Sequence, residues 1–203
     1  MIAFVVSLFF AYLVGSIPTS FIFGKLLKKV DITKHGSGNA GATNVFRVVG
    51  KIPAVIVLAL DIFKGIFSVA FLPYIFFNNY IGITMGFGVY KILLGAAVIT
   101  GHVWSVFLKG KGGKGVATTA GVLMVLAPKV FTASLGVWLI TFSLFRVISV
   151  ASVTASVFLP IAAILFRLPM HNVLFFVFLC ILSTYKHKAN IRRLLRGEEK
   201  RLF

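Results

Sequence analysis

Acidic residues are nearly missing from this chain: four Asp and Glu stand against 21 Lys and Arg in 203 residues. Paired-carboxylate catalysis and a Mg²⁺ cage both need converging acids, and four scattered ones do not provide them. Cysteine is single, Cys180, inside an apolar run, so neither a disulfide framework nor a C-x-x-C metal site can be built. Charge of either sign is scarce too, at 12% of residues, where a soluble domain carries roughly a quarter. Low-complexity and linker segments are absent, and the two halves show no repeat of the kind that marks many transporters.

What is abundant is apolar sequence. Hydrophobic residues make up 59% of the chain, with 22 Phe, and they come in long blocks rather than at amphipathic spacing. Such blocks read as membrane spans. The reading is an all-α polytopic integral membrane protein, one membrane-embedded domain over residues 1–203. Spans are expected at about 2–24, 52–77, 87–107, 116–128, 130–145, 147–166 and 168–185. The first lacks a basic leader and a small-x-small cleavage site, so it reads as a retained helix rather than a signal peptide.

Residues 116–145 admit one long helix or a hairpin joined near Pro128-Lys129, and charge decides between them. With a hairpin there are seven spans, and the basic segments around 25–51, 109–114, Arg146 and the tail share one side. Lys91, Lys129 and Arg167 are left opposite, and Lys64 falls within a span. With one helix, Arg146 and the tail change sides and the asymmetry fades. The positive-inside rule therefore gives seven transmembrane helices, the N-terminus outside and the C-terminus cytosolic. A net charge of +17 then reflects topology, anionic lipid and anionic substrates; no nucleic-acid partner is expected.

The polar chemistry collects on that cytosolic side. The first loop reads His35-Gly36-Ser37-Gly38-Asn39-Ala40-Gly41-Ala42-Thr43-Asn44, with Arg47 beyond it. Its glycines allow N–H groups to point into one concavity suited to an anion. Ser37, Asn39, Thr43 and Asn44 add short hydrogen-bonding side chains, and Arg47 adds a charge suited to phosphate. The second loop runs from Gly101-His102 through Lys109-Gly110-Lys111-Gly112-Gly113-Lys114-Gly115 into a helix. Glycine amides, a helix start and ammonium groups can converge there on one phosphate. The spacing is not G-x-x-x-x-G-K-[ST], because Gly115 follows Lys114. A third cluster runs from Lys186 to Glu199, in which a helix would place His187, Asn190 and Leu194 on one face. Arg146, Ser149 and Ser152 open a further helix from the same side.

Within the spans, Asp61 and Lys64 lie three residues apart on one helix face, fitting a structural ion pair as well as a substrate contact. Gly15-Ser16-Ile17-Pro18-Thr19-Ser20 is expected to break the first helix. No Ser-His-Asp arrangement is evident, and no H-x-x-x-x-D signature exists, since positions 40, 107 and 192 are Ala, Phe and Arg. Two anion-binding loops, a few histidines and a membrane suit a reaction between two phosphate-bearing molecules, one of them carrying an alkyl chain. The competing class is an anion or lipid transporter or binding protein using the same loops, which the Asp61/Lys64 pair and the broken first helix would fit. Against it, polar residues gather on one side rather than at the midplane.

The segments G-S-G-N-A-G-A-T-N-V-F-R (36–47), G-H-V-W-S-V-F with K-G-G-K-G-V-A-T (101–118) and H-K-A-N-I-R-R-L-L-R-G-E-E (187–199) resemble the three cytosolic motifs of the bacterial acyl-phosphate:glycerol-3-phosphate acyltransferases. The resemblance runs nearly end to end. It implies acyl transfer from acyl phosphate to the 1-hydroxyl of glycerol-3-phosphate, giving lysophosphatidic acid and inorganic phosphate, without metal or cofactor. It implies Ser37, His102 and His187 as catalytic residues. It implies Asn39, Thr43, Asn44, Arg47, Gly112, Gly113, Lys114, Gly115 and Asn190 as substrate-binding residues, and Ser149, at the start of the helix that opens from the same side, is expected to border the same cavity and bind substrate. Lys114 and the 112–115 amides would hold the donor's phosphate, and Arg47 with Asn190 or His187 would grip glycerol-3-phosphate. His187, His102 or the donor's own phosphate would serve as base. Partners implied are the two substrates, lipid of the bacterial inner membrane, and the soluble enzyme that makes acyl phosphate. The chain departs from the family pattern at Ser105 where proline is common, at Lys109-Gly110 where Gly-Phe is common, and in the lysines flanking His187.

Overall fold

In the absence of water, backbone amides must be satisfied within the chain, and a long apolar run answers that demand as helix. The computed structural model describes residues 2–77 and 86–202, and among them every regular element is helical. Among the described residues, five stretches are long and apolar enough to cross a membrane: Ile2–Lys28, Lys51–Phe76, Phe87–Leu108, Pro128–Phe145 and Ile148–Leu165. Val116–Leu126 and Met170–Lys186 are apolar but shorter. The described chain divides into two compact units, Met1–Leu126 and Ala127–Phe203.

The first unit holds α1 (Ile2–Ser16), α2 (Thr19–Lys28), α3 (Ala42–Val48), α4 (Lys51–Ala70), α5 (Leu72–Phe77), α6 (Phe87–Val103) and α7 (Val116–Leu126). The break between α1 and α2 falls at Ile17-Pro18, as the run of small and polar residues there predicts. The span expected over 52–77 is interrupted at Phe71, where α4 ends and α5 begins. The chain also breaks at Ala127, so 116–145 is two helices and not one. Ala127 leaves helical geometry at φ −152° and ψ 70°, and Pro128 starts the next helix in its first turn, where a missing N–H costs nothing.

Lipid tails are as apolar as leucine, so helices in a membrane associate through close packing more than through the hydrophobic effect. Glycine provides the approach. A Cβ at Gly15 on α1 would collide with the Val98 carbonyl of α6, and one at Gly101 on α6 would collide with the Tyr12 carbonyl of α1. The same reciprocal device joins α4 to α7, Gly65 lying on the Thr118 carbonyl and Gly121 on that of Ile62. Ser7 and Tyr90 add a buried hydroxyl bond of 2.8 Å between α1 and α6.

The second unit holds α8 (Pro128–Phe145), α9 (Ile148–Leu165), α10 (Met170–Lys186) and α11 (Lys188–Leu195), with α9 packed against both α8 and α10. Arg146 closes α8 in the left-handed conformation, φ 59°, so α9 starts at Ile148 rather than at Arg146. The backbone N–H of Leu202 donates to the Arg146 carbonyl at 3.0 Å, tying the tail to the α8–α9 turn.

The glycine contacts set an expectation. Gly65→Val should lower stability by about 1–3 kcal/mol, the range for overpacking a close contact. Gly136→Ala, where a Cβ meets nothing within 4 Å, should leave it unchanged or slightly raised. Thermal unfolding of both variants in detergent checks the pair.

Candidate active site

In the first loop, the organising side chain is Asn44. It is 1% exposed, and its Nδ2 donates to the carbonyls of Ile32 (3.0 Å) and His35 (2.9 Å) while its Oδ1 accepts from the Ser37 N–H (2.8 Å). Gly36 must be glycine here, because it has φ 62° and a Cβ would collide with Asn44 Oδ1. Asp31 starts the loop by accepting from the Thr33 N–H and hydroxyl, at 3.0 and 2.6 Å.

Two expectations change. The N–H groups of Ser37, Gly38 and Gly41 do not form an anion nest: they donate to Asn44 Oδ1, the His35 carbonyl and the Asn39 carbonyl. Asn44, read as a substrate ligand, uses both amide hydrogens to hold the loop. The side chains of Ser37, Asn39, Thr43 and Arg47 remain at the loop's accessible surface, and Thr43 and Arg47 share a face of α3 at i, i+4 spacing.

In the second loop, the chain leaves α6 at Val103 and folds back on it. The Gly113 N–H donates to the His102 carbonyl at 3.0 Å. A Cβ on Gly112 would strike that carbonyl, and a Cβ on Gly113 would strike His102 Nε2. Only unsubstituted backbone can therefore lie against the imidazole. Gly115, at φ 82°, turns the chain into α7, with Lys114 half-buried just before it. Ser105 is buried and donates to the Ser16 carbonyl at 2.6 Å. It anchors the loop to the end of α1, and its own carbonyl accepts from the Gly110 N–H at 2.8 Å.

Beneath this loop lies a group that sequence spacing showed only in part. Asp61 and Lys64 do form an ion pair, at 2.8 Å, with 1% and 6% of their side chains exposed. The Asp61 carboxylate also accepts from the Thr19 hydroxyl at 2.8 Å and stands 3.6 Å from His102 Nδ1. Lys64 Nζ donates to the Ile17 carbonyl, at 3.5 Å, at the α1–α2 break. A small cleft is lined by Thr19, Ala40, Lys64, His102, Gly112 and Gly113, among others, so first-loop and second-loop residues meet on it. The signal for His102 and Thr19 joining Asp61 lay in three separate helices, and no local pattern could have revealed it.

In the second unit, His187 is the residue that caps the start of α11. It is buried at the junction of α10 and α11, and Leu194 is exposed. His187 Nδ1 lies 2.8 Å from the Ser183 carbonyl; a carbonyl only accepts, so Nδ1 carries the proton. Ser149 Oγ and Asn190 Nδ2 both donate to Glu199 Oε1, and Arg193 Nε donates to Oε2 at 2.7 Å. Glu199 stands near the end of the third motif with no task legible from spacing, and the fold makes it the acceptor that orients Ser149 and Asn190. Burial alone would push its carboxyl up, but the bonds from Asn190, Ser149 and Arg193 outweigh burial and hold it below the usual glutamate range.

Two expectations follow. Asn44→Ala strips a donor from two carbonyls in the loop and should cost about 1–3 kcal/mol, read by thermal unfolding. Because the folded-state pKa of Glu199 lies below the unfolded one, the clamp's stabilisation is complete above the ordinary value of 4.5. It is lost as the pH falls below that value through the folded pKa. Tryptic cleavage after Arg193 and Arg196 should accordingly rise when the protein is first exposed to acid and locked by crosslinking, and Glu199→Ala should show the high rate at every pH.

With this geometry in hand, similarity to known proteins is extensive. Residues 5–197 match the family model described as glycerol-3-phosphate acyltransferase. A glycerol-3-phosphate acyltransferase of Prochlorococcus marinus subsp. pastoris is 42% identical over 194 residues, 95% of this chain and 93% of the relative. Another from Desulforudis audaxviator is 42% identical over 191 residues, 94% of this chain and 91% of the relative. Among solved structures, the integral membrane glycerol 3-phosphate acyltransferase PlsY in its glycerol 3-phosphate form superposes with a TM-score of 0.87 at 36% identity, over 98% of this chain and 94% of that one. Its lysophosphatidic acid form gives 0.84 at the same identity and coverage.

Proposed function

Since the chain belongs to the glycerol-3-phosphate acyltransferase family, we propose that it transfers an acyl chain from acyl phosphate to the 1-hydroxyl of glycerol-3-phosphate. The products are lysophosphatidic acid and inorganic phosphate. The observation that carries this reading is the Gly112–Gly113 backbone lying on His102, with Lys114 and the start of α7 directly after it. Bare glycine backbone, an ammonium and a helix N-terminus are what a phosphate leaving group requires. The neighbouring PlsY structures, named for their glycerol 3-phosphate and lysophosphatidic acid forms, support the acceptor and the product.

Acyl phosphate is a mixed anhydride, already activated, so the protein needs to position it and stabilise charge rather than supply a nucleophile. The acceptor's 1-hydroxyl oxygen forms a bond to the acyl carbon, the bond from that carbon to the phosphate oxygen breaks, and the hydroxyl proton leaves with the departing phosphate or on a histidine. Lys114 and the amides of Gly112 and Gly115 hold the donor's phosphate, while the Gly113 N–H stays on the His102 carbonyl. Arg47, beside Thr43 on α3, takes the phosphate of glycerol-3-phosphate, and Ser37 and Asn39 hydrogen-bond the reacting groups. In the second unit the proposed substrate residues are Ser149, His187 and Asn190. The family match runs through both units, which supports one acyltransferase domain.

In the membrane, the five long spans are joined by Val116–Leu126 and Met170–Lys186 to make seven. These two reach about 16 and 25 Å at 1.5 Å per residue, so they are tilted or sunk from one side of a core about 30 Å thick. The positive-inside rule places the loops and the tail in the cytosol of a bacterial cell, at its inner membrane.

Purified protein in lipid, given palmitoyl phosphate and glycerol-3-phosphate without acyl-CoA, should make lysophosphatidic acid. Arg47→Ala and Lys114→Ala should each reduce kcat/KM by about 100-fold or more, the scale of losing a charge-stabilising contact. KM should rise for glycerol-3-phosphate in the first and for the donor in the second. Folded protein that forms no product with any donor would sink the reading and bring anion or lipid transport forward.

A further inference from the structure

The Asp61 group lies outside every role assigned above except that of His102. An ion pair in hydrocarbon is costly, and replacing such a pair with apolar side chains of similar volume is often neutral or stabilising. Stability is therefore a weak reason for Asp61 and Lys64 to be here. Their geometry offers a better one.

Asp61 Oδ1 accepts from the Thr19 hydroxyl of α2 and from Lys64 Nζ of α4, both at 2.8 Å, and His102 Nδ1 of α6 faces it at 3.6 Å. A carboxylate facing Nδ1 keeps the ring proton on that nitrogen, so in the neutral imidazole Nε2 is the acceptor. Nε2 is the atom against which the Gly113 backbone packs. Lys64 balances the charge of Asp61 in an ion pair of 2.8 Å. Thr19 and the Ile17 carbonyl, both presented by the α1–α2 break, hold the pair in place.

We propose that Asp61 is a positioning residue of the acyl transfer, acting through His102 to fix Nδ1 as donor and aim Nε2 at the glycine loop. This rests on the reading of that loop as the acyl-phosphate site. At that loop the oriented Nε2 receives a proton or a hydrogen bond from the reacting phosphate and hydroxyl groups, and a ring free to flip would offer N–H there instead.

The test compares wild type, Asp61→Asn/Lys64→Met, His102→Gln and the triple combination with palmitoyl phosphate and glycerol-3-phosphate. The pair variant removes both charges together, so no buried ion is left alone. It should unfold within a few degrees of wild type yet lose about 10- to 100-fold in activity, mostly in kcat. Adding His102→Gln should cost less than threefold more, because residues acting as a unit are not additive. Wild-type kcat in the pair variant, or losses that multiply with His102→Gln, would overturn the proposal. The ¹⁵N imidazole spectrum of the wild-type protein, assigned by His102→Gln, needs no folded pair variant: a neutral ring protonated at Nδ1 is expected, and one protonated at Nε2 overturns it. A wild-type protein without turnover defeats the acyl-phosphate reading itself, and this proposal falls with it.

Discussion

Asp61 is 1% exposed in the middle of a helix apolar enough to cross a membrane, and the polar architecture of the first unit answers that burial. A carboxylate there must be neutralised and hydrogen-bonded, since each failure costs several kcal/mol. Lys64, one turn on, provides the charge. The remaining partners have to come from other helices, so the carboxylate couples α2, α4 and α6. Thr19 can reach it only because the chain is broken at Ile17-Pro18, and the same break leaves the Ile17 carbonyl to take Lys64. His102, on the last turn of α6, is drawn to the carboxylate on one side and carries the glycine loop on the other. A single buried charge thus gathers a helix break, an ion pair and the imidazole beneath a loop around one carboxylate.

Close packing complements this polar joint. Helices α1 and α6 meet glycine to carbonyl in both directions, and α4 and α7 repeat the arrangement. The two contacts bring the Pro18 break, Asp61, His102 and the start of α7 within reach of one another. Larger residues at those glycines would separate the helices by more than a hydrogen bond can span. Precision in the polar group therefore depends on residues that have no side chain at all.

Ser105 ties the turn after α6 to the Ser16 carbonyl with a buried bond of 2.6 Å, so one hydroxyl seats the second loop on the end of α1. The tail follows similar logic: Glu199 gathers Ser149, Asn190 and Arg193 and so gives order to a segment whose composition alone reads as a basic amphipathic tail.

Much of this was legible in the amino acids. Long apolar blocks dictate membrane helices because a continuous apolar run in hydrocarbon satisfies its own backbone only as a helix, and Pro18 and Pro128 mark breaks through their missing N–H groups. The dense runs of Gly, Ser, Asn and Lys in 36–47 and 101–118 identify the loops that carry chemistry, since local composition is enough to show where an anion is welcome. Spacing also paired Asp61 with Lys64, because three residues along a helix is a contact. What it could not decide was the use of each group within a loop. Asn44 reads as a ligand from composition, yet it closes on Ile32 and His35, because whether an amide faces inward depends on a turn whose shape is set by Gly36 and Asp31. Nor could spacing join Asp61 to His102 and Thr19, or Glu199 to Ser149. Those partners are separated by 41 and 42 residues in one case and 50 in the other, and only helix packing determines which distant side chains share a carboxylate.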